Sequence, residues 1–145
     1  MAKVMVYPPT SLILADLVER MDHEALVVSK EVRKKINTPG LESPPLNITP
    51  DGPKKGLKYA AVDVPSGVRG RMSLIGPLIE EADAAIVVKD GGYYIGCTGC
   101  ARTNELTKFL LRRKEIPILE VDYPSDEVEA KRFVHEIRQF LEGLT

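Results

Sequence analysis

The sequence predicts an α/β fold: a single doubly wound, mostly parallel sheet with helices on both faces. Short apolar runs alternate along the chain with amphipathic stretches, as in strand–helix–strand units. The runs are continuously apolar, as expected of strands covered on both faces. Hydrophobic residues make up 43% and charged residues 28% of the 145-residue chain, which suits one globular domain spanning 1–145.

The elements follow in order. Lys3 to Tyr7 holds the run Val4-Met5-Val6 and reads as a buried strand stopped by Pro8 and Pro9. Thr10 is placed to cap a helix over 11–22, in which Leu14, Leu17, Val18 and Met21 fall on one face. Ala25 to Ser29 is a second strand, and Lys30 to Ile36 a short basic helix. Residues 37–56 hold five prolines and three glycines and are expected to form an irregular loop. A loop of that length serves either as a surface excursion or as a lid or partner-docking arm, anchored by Leu41, Leu46 and Ile48.

Leu57 to Val64 reads as a strand ending at Pro65. A glycine-bearing loop, 66–73, then leads into a helix that reaches Asp83, with Ile75, Leu78, Ile79 and Ala82 on its apolar face. Pro77 should lie in its first turn or kink it. Ala84 to Lys89 is a strand, Asp90-Gly91-Gly92 a turn, and Tyr93 to Gly96 a short extended piece. Thr103 or Asn104 caps a helix to Arg113, and Ile116 to Asp122 is the last strand. Ser125 caps the final helix, where Asp126, Glu127 and Glu129 complement the helix dipole. Ala130, Phe133, Val134, Ile137, Leu141 and Leu144 form its buried face. Right-handed crossovers turn this order into a Rossmann-like doubly wound fold.

The net charge of −1 provides no basic field for nucleic acid or an anionic membrane, so neither is expected as a partner. No apolar run reaches membrane-spanning length, and Met1-Ala2-Lys3 leads into a strand without a signal-peptide core, so a cytoplasmic location is expected.

In open α/β sheets ligands bind beyond the carboxyl ends of the strands. Two segments there carry chemistry. The first is Gly96-Cys97-Thr98-Gly99-Cys100-Ala101-Arg102. Cys97 and Cys100 lie between a strand and a helix start, where the helix dipole and Arg102 favour thiolate. The pair can act as half of a metal or iron–sulfur site, as a redox dithiol, or as two small residues in a glycine-rich turn. A complete site normally needs four ligands, and the chain has only these two cysteines, with His23 and His135 distant in sequence. A cluster would therefore be shared with a partner chain. The second segment is Ser66-Gly67-Val68-Arg69-Gly70-Arg71. Free N–H groups at a helix start, with Arg69 and Arg71, suit a phosphate or carboxylate; the plain alternative is a solvated turn. Arg102 joins Ser66, Gly67, Arg69, Gly70 and Arg71 as a candidate anion ligand.

Weaker candidates are Tyr7, Tyr93, Tyr94 and Tyr123 as stacking groups, and Asp90 and Asp122 as acids or bases. His23 reads as a dipole partner at the end of the first helix, His135 as a surface residue, and Arg112-Arg113-Lys114 as a basic helix C-terminus.

The stretch Ile95 to Leu144 resembles the end of the 2-hydroxyacyl-CoA dehydratase and benzoyl-CoA reductase subunit family. The likeness rests on Gly96-Cys97 leading into Thr103-Asn104-Glu105-Leu106, on Glu115 to Tyr123, and on Ile137 to Glu142. It implies that Cys97 or Cys100 is a ligand of an iron–sulfur cluster; the family's other cluster cysteines have no counterpart here. The whole chain, including Val6-Tyr7-Pro8-Pro9-Thr10-Ser11-Leu12-Ile13-Leu14-Ala15-Asp16-Leu17, is similar to the methanogenesis marker proteins, most of all marker protein 5. This resemblance implies an accessory role around methyl-coenzyme M reductase and its ATP-dependent reductive activation, with components of that system as partners. It supplies no catalytic residues. The residues support two functions: an accessory protein in a redox or iron–sulfur assembly, or a small-molecule enzyme or sensor that binds a phosphate or acyl-CoA anion.

Overall fold

The computed structural model describes residues 1–37, 51–89 and 98–145, the side chains at 35, 36 and 98–100 excepted. The elements run β1 (Lys3–Tyr7), α1 (Leu12–Glu19), β2 (Glu24–Leu26), α2 (Val28–Ile36), α3 (Asp51–Gly56), α4 (Ser66–Glu81), β3 (Ala84–Val88), α5 (Thr98–Arg113), β4 (Ile118–Val121) and α6 (Glu127–Glu142). Four strands form one sheet in the order β2-β1-β3-β4, and every pair is parallel. Val4 lies opposite both Ala25 and Ala84, and Ala85 lies opposite Ile118.

Strand alternation divides the core into two layers. Val4, Val6, Ala84, Ile86, Val88 and Val121 face α1 and α6, packing on Leu14, Val18, Phe133, Ile137 and Leu141. Met5, Ala85 and Val87 face the other way, onto Val68, Met72, Ile75 and Ile79 of α4 and Leu111 of α5. The expected doubly wound α/β arrangement is present: α1 moves the chain from β1 to one side, while α4 and α5 carry it to the other on the opposite face.

Several local expectations are corrected. Ser11, not Thr10, caps α1, its hydroxyl accepting from the Leu14 N–H at 3.3 Å. Residues 51–56, expected as loop, form α3. Pro53 falls in the first turn, where its missing N–H costs nothing, Asp51 starts the helix, and Lys54 and Lys55 end it, so each charge opposes the nearer dipole end. Gly56 is there for proximity: a methyl group at this position would overlap the Arg69 carbonyl of α4.

Leu57 to Val64 is not a strand. The Gly56 carbonyl accepts from both Tyr59 and Ala60 N–H groups, tightening the chain into turns that leave Val62 exposed and bury Ala60. Helix α4 begins at Ser66 and continues through Pro77, which sits in its interior and not in its first turn. Likewise α5 starts at Thr98, so Thr103 and Asn104 lie inside the helix instead of capping it. Asp126 caps α6 by accepting from the Glu129 N–H, while Glu129 reaches back to the N–H and hydroxyl of Ser125. Phe133, Ile137 and Leu141 form the buried face of α6, but Val134 is exposed. The piece expected at Tyr93 to Gly96 lies outside the described residues, as do the anchors Leu41, Leu46 and Ile48.

His23 is not a helix-dipole partner. It is buried, its Nδ1 accepting from the Ala2 N–H at 3.0 Å and its Nε2 lying 3.0 Å from the Leu141 carbonyl. A neutral ring protonated on Nε2 satisfies both contacts and ties the amino terminus to α6.

Candidate functional site

The strand order reverses between β1 and β3, and in open α/β sheets a crevice forms outside the carboxyl ends of the strands at that reversal. On the β1 side its border is Pro8 to Ser11, where the Ser11 N–H donates to the Pro8 carbonyl at 3.1 Å and α1 begins. On the β3 side lies Lys89, whose N–H donates to the Val121 carbonyl at 2.7 Å and whose Nζ stands 3.7 Å from Asp122. Asp122 is thus an exposed ion-pair partner. Tyr123 stacks on Phe133 with ring centroids 6.2 Å apart, and Tyr7 packs into the α4–α5 layer of the core.

Helices α4 and α5 lead into β3 and β4, so both helices run against the strands and begin at the carboxyl edge. Cys100 is the third residue of α5, inside its first turn. A cysteine in that turn lies within reach of the positive end of the helix dipole. Cys97 and the Cys100 side chain lie outside the described residues, as do Asp90, Tyr93 and Tyr94. Among the described residues no group of three or more His, Cys, Asp or Glu side chains converges to hold a metal ion. Arg102, in the second turn of α5, is exposed.

The predicted anion loop takes a different form. Ser66, Gly67, Arg69, Gly70 and Arg71 belong to the opening turns of α4, not to a loop. Pro65 occupies the N-cap position and offers no side-chain acceptor; its carbonyl takes the N–H groups of Val68 and Arg69. Val68 faces the core, Arg71 faces solvent, and nothing lies near the open side of Gly67. Arg69 is half-buried, and its Nε is buried with no hydrogen-bond partner among the described residues. A buried guanidinium N–H without an acceptor is costly, and an anion placed there would relieve that cost. Five of the six candidate ligands thus lie on the opening turns of α4, facing different directions, and Arg102 lies on the neighbouring helix.

One set of residues escaped the sequence reading. Thr103, Asn104, Thr107 and Lys108 form a buried polar stripe on α5. The Thr107 hydroxyl donates to the Thr103 carbonyl at 2.7 Å and lies 3.8 Å from the Met72 sulfur of α4. The Lys108 side chain is only 7% exposed and stands 3.9 Å from Glu105. The signal was present in the sequence: 103/107 and 104/108 are one-turn spacings, so four polar side chains share a face that would otherwise be apolar.

The basic run 112–114 is dispersed. Arg112 pairs with Glu120 at 2.8 Å, while Lys114 crosses to α4 and donates to the carbonyls of Ile79, Glu80 and Ala82. Beside it, Lys58 pairs with Glu80 at 2.5 Å. That ion pair holds the Glu80 carboxyl below its usual range, and burial raises the Tyr59 hydroxyl pKa.

The fold defines the class: a doubly wound α/β protein built on one parallel sheet. The chain belongs to the archaeal family described as "Uncharacterized protein conserved in archaea (DUF2112)", whose profile matches residues 2–144. It is 59% identical over 144 residues to "Uncharacterized protein MJ0404" of Methanocaldococcus jannaschii, an alignment covering 99% of this chain and 96% of that protein. No solved structure matches the chain significantly. No helix among the described residues is long and apolar enough to cross a membrane.

Proposed function

We propose that the chain is an accessory protein of archaeal methanogenesis, acting in a redox or iron–sulfur assembly linked to methyl-coenzyme M reductase activation. Cys97 and Cys100 contribute thiolates to that assembly. The observation that carries this reading is the position of Cys100, in the first turn of a helix that opens at the reversal of strand order. Membership of an archaeal family and the resemblance to methanogenesis marker protein 5 support it. Two thiols do not complete a four-ligand cluster and the chain has only these two cysteines, so on this reading a partner chain supplies the remaining ligands. A cluster held there would supply one-electron transfer; this chain's part is to contribute two thiolates. Affinity capture of the tagged chain from anaerobic archaeal lysate tests the proposal. Iron and sulfide that accompany the chain and its bound proteins support it. Their absence from both the free chain and the native complex contradicts it.

A second reading rests on the Arg69 Nε, which has no partner among the described residues, beside the uncapped start of α4. On this reading the carboxyl edge binds a phosphate or acyl-CoA anion, and the protein is a small-molecule enzyme or sensor. Titration with inorganic phosphate, nucleotides and acyl-CoAs, repeated on the Arg69→Ala/Arg71→Ala double variant, separates the two readings. Binding that is unchanged in the double variant rules the site out.

A further inference from the structure

The opposite end of the α4–α5 pair holds a cleft that neither reading uses. It is an open cavity of about 380 Å³ lined by Lys58, Tyr59, Gly76, Ile79, Glu80, Leu110, Arg113 and Lys114. That volume falls at the small end of the range of small-molecule sites, about 300–1,000 Å³. It lies at the amino edge, because α4 ends beside the start of β1: Lys3 pairs with Glu81 at 3.0 Å, and the Asp83 N–H donates to the Lys3 carbonyl at 2.8 Å.

The floor of the cleft is apolar. The Tyr59 ring lies directly on the α4 backbone at Gly76, where any β-carbon would overlap it, and Ile79 and Leu110 continue the surface. The rim is charged, with three cations against one carboxylate. The carboxylate is already engaged, since Glu80 is paired with Lys58, whose ammonium also stands 5.5 Å from the centre of the Tyr59 ring. Lys114 is engaged as well: its three donors go to three carbonyls at the end of α4, where they offset the negative end of that dipole. Arg113 differs. Its guanidinium rests over the Phe109 ring at 5.7 Å and makes no ion pair with a carboxylate among the described residues. An apolar floor beside a guanidinium with open donors is complementary to a flat apolar body bearing one anionic group.

We propose that this cleft binds a small organic carboxylate with a ring-sized apolar body, the body lying against Tyr59, Ile79 and Leu110 and the carboxylate on Arg113. Nothing in the proposal depends on the cysteines or on the carboxyl edge.

Titration of the full chain with 2-naphthoate tests it, followed by calorimetry and amide chemical shifts, with 2-naphthamide as the uncharged isostere. The expected result is saturable binding of one equivalent, with shifts centred on 58–59, 76–80 and 110–114. Affinity should fall about tenfold in Arg113→Gln and about tenfold for the amide, as befits loss of one charge-assisted contact. Arg138→Gln, on α6, should leave affinity unchanged. Because Arg113 is exposed, its substitution spares the fold. Absence of saturable binding, shifts centred elsewhere, or equal affinity in wild type and Arg113→Gln would each overturn the proposal.

Discussion

The two ends of the sheet are built differently. At the amino edge polar groups are matched to one another: Lys114 covers the last carbonyls of α4, Lys3 pairs with Glu81, and His23 joins the amino terminus to α6. At the carboxyl edge α4 starts without a side-chain cap, Arg69 has a buried Nε with no partner among the described residues, and Leu12 and Ile13 at the start of α1 are 74% and 68% exposed. The difference teaches where the chain invests its hydrogen bonds. Among the described residues the amino edge is held by these pairs, apart from the Arg113 cleft, while the carboxyl edge is capped at α1 and α6 by Ser11 and Asp126 and leaves the start of α4 open.

If that contrast is sound, substitutions at the amino edge should cost stability and those at the start of α4 should cost binding. The largest effect is expected from Gly56→Ala, which forces a methyl group into the Arg69 carbonyl where α3 packs on α4. Denaturant unfolding should show a loss of about 3 kcal/mol or more, since the obstacle is backbone and cannot rotate away. His23→Leu comes next. It leaves the Ala2 N–H and the Leu141 carbonyl without partners, for a loss of about 2–3 kcal/mol in the same assay. Lys114→Met should cost about 1–2 kcal/mol, less than three charge-assisted bonds suggest, because the side chain is partly solvated. At the start of α4 Arg69→Met should change stability by no more than about 0.5 kcal/mol, because it removes a donor that has no acceptor among the described residues. A loss as large as that of Lys114→Met would erase the contrast.

The smallest effect concerns pH. The Glu129 carboxyl is held below its ordinary value of 4.5 by the Ser125 hydroxyl and backbone N–H. A depressed carboxyl pKa means that its contribution is fully present above pH 4.5 and is lost as pH falls through the lower folded value. Glu129→Gln should therefore flatten the acid side of the stability–pH curve slightly. A curve superimposable on wild type below pH 4.5 would show that the Glu129 contact with Ser125 contributes nothing.

What could be read from the chain tracks how far each signal depends on distant contacts. The strands β1 and β3 were legible because Val4-Met5-Val6 and Ala84 to Val88 are apolar without a break, the mark of burial on both faces. The start of α6 was legible to within one residue because the cap chemistry is local. Around α3 and α4 the reading failed for a shared reason. Read locally, the glycines and prolines of 51–56 and the glycines of 66–71 mark loops, yet Pro53 sits harmlessly in a first turn, Gly67 and Gly70 lie inside α4, and Gly56 admits the Arg69 carbonyl. Such close approaches are tertiary facts that no local pattern encodes. At the candidate site the residue types of Ser66 to Arg71 pointed to an anion, but their helical conformation did not show. The stripe of Thr103, Asn104, Thr107 and Lys108 was hidden by reading its first two members as a cap.

The proposal to be tested first is that Cys97 and Cys100 supply a thiolate pair to a site completed by a partner. The most direct measurement is the iron and sulfide content of the complex captured anaerobically with wild-type chain and with Cys97→Ser/Cys100→Ser. The account predicts iron and sulfide with the wild type, and a fall in both with the double variant while its fold, followed by thermal unfolding, is retained. Equal iron and sulfide in the two complexes, or none in either, would contradict it.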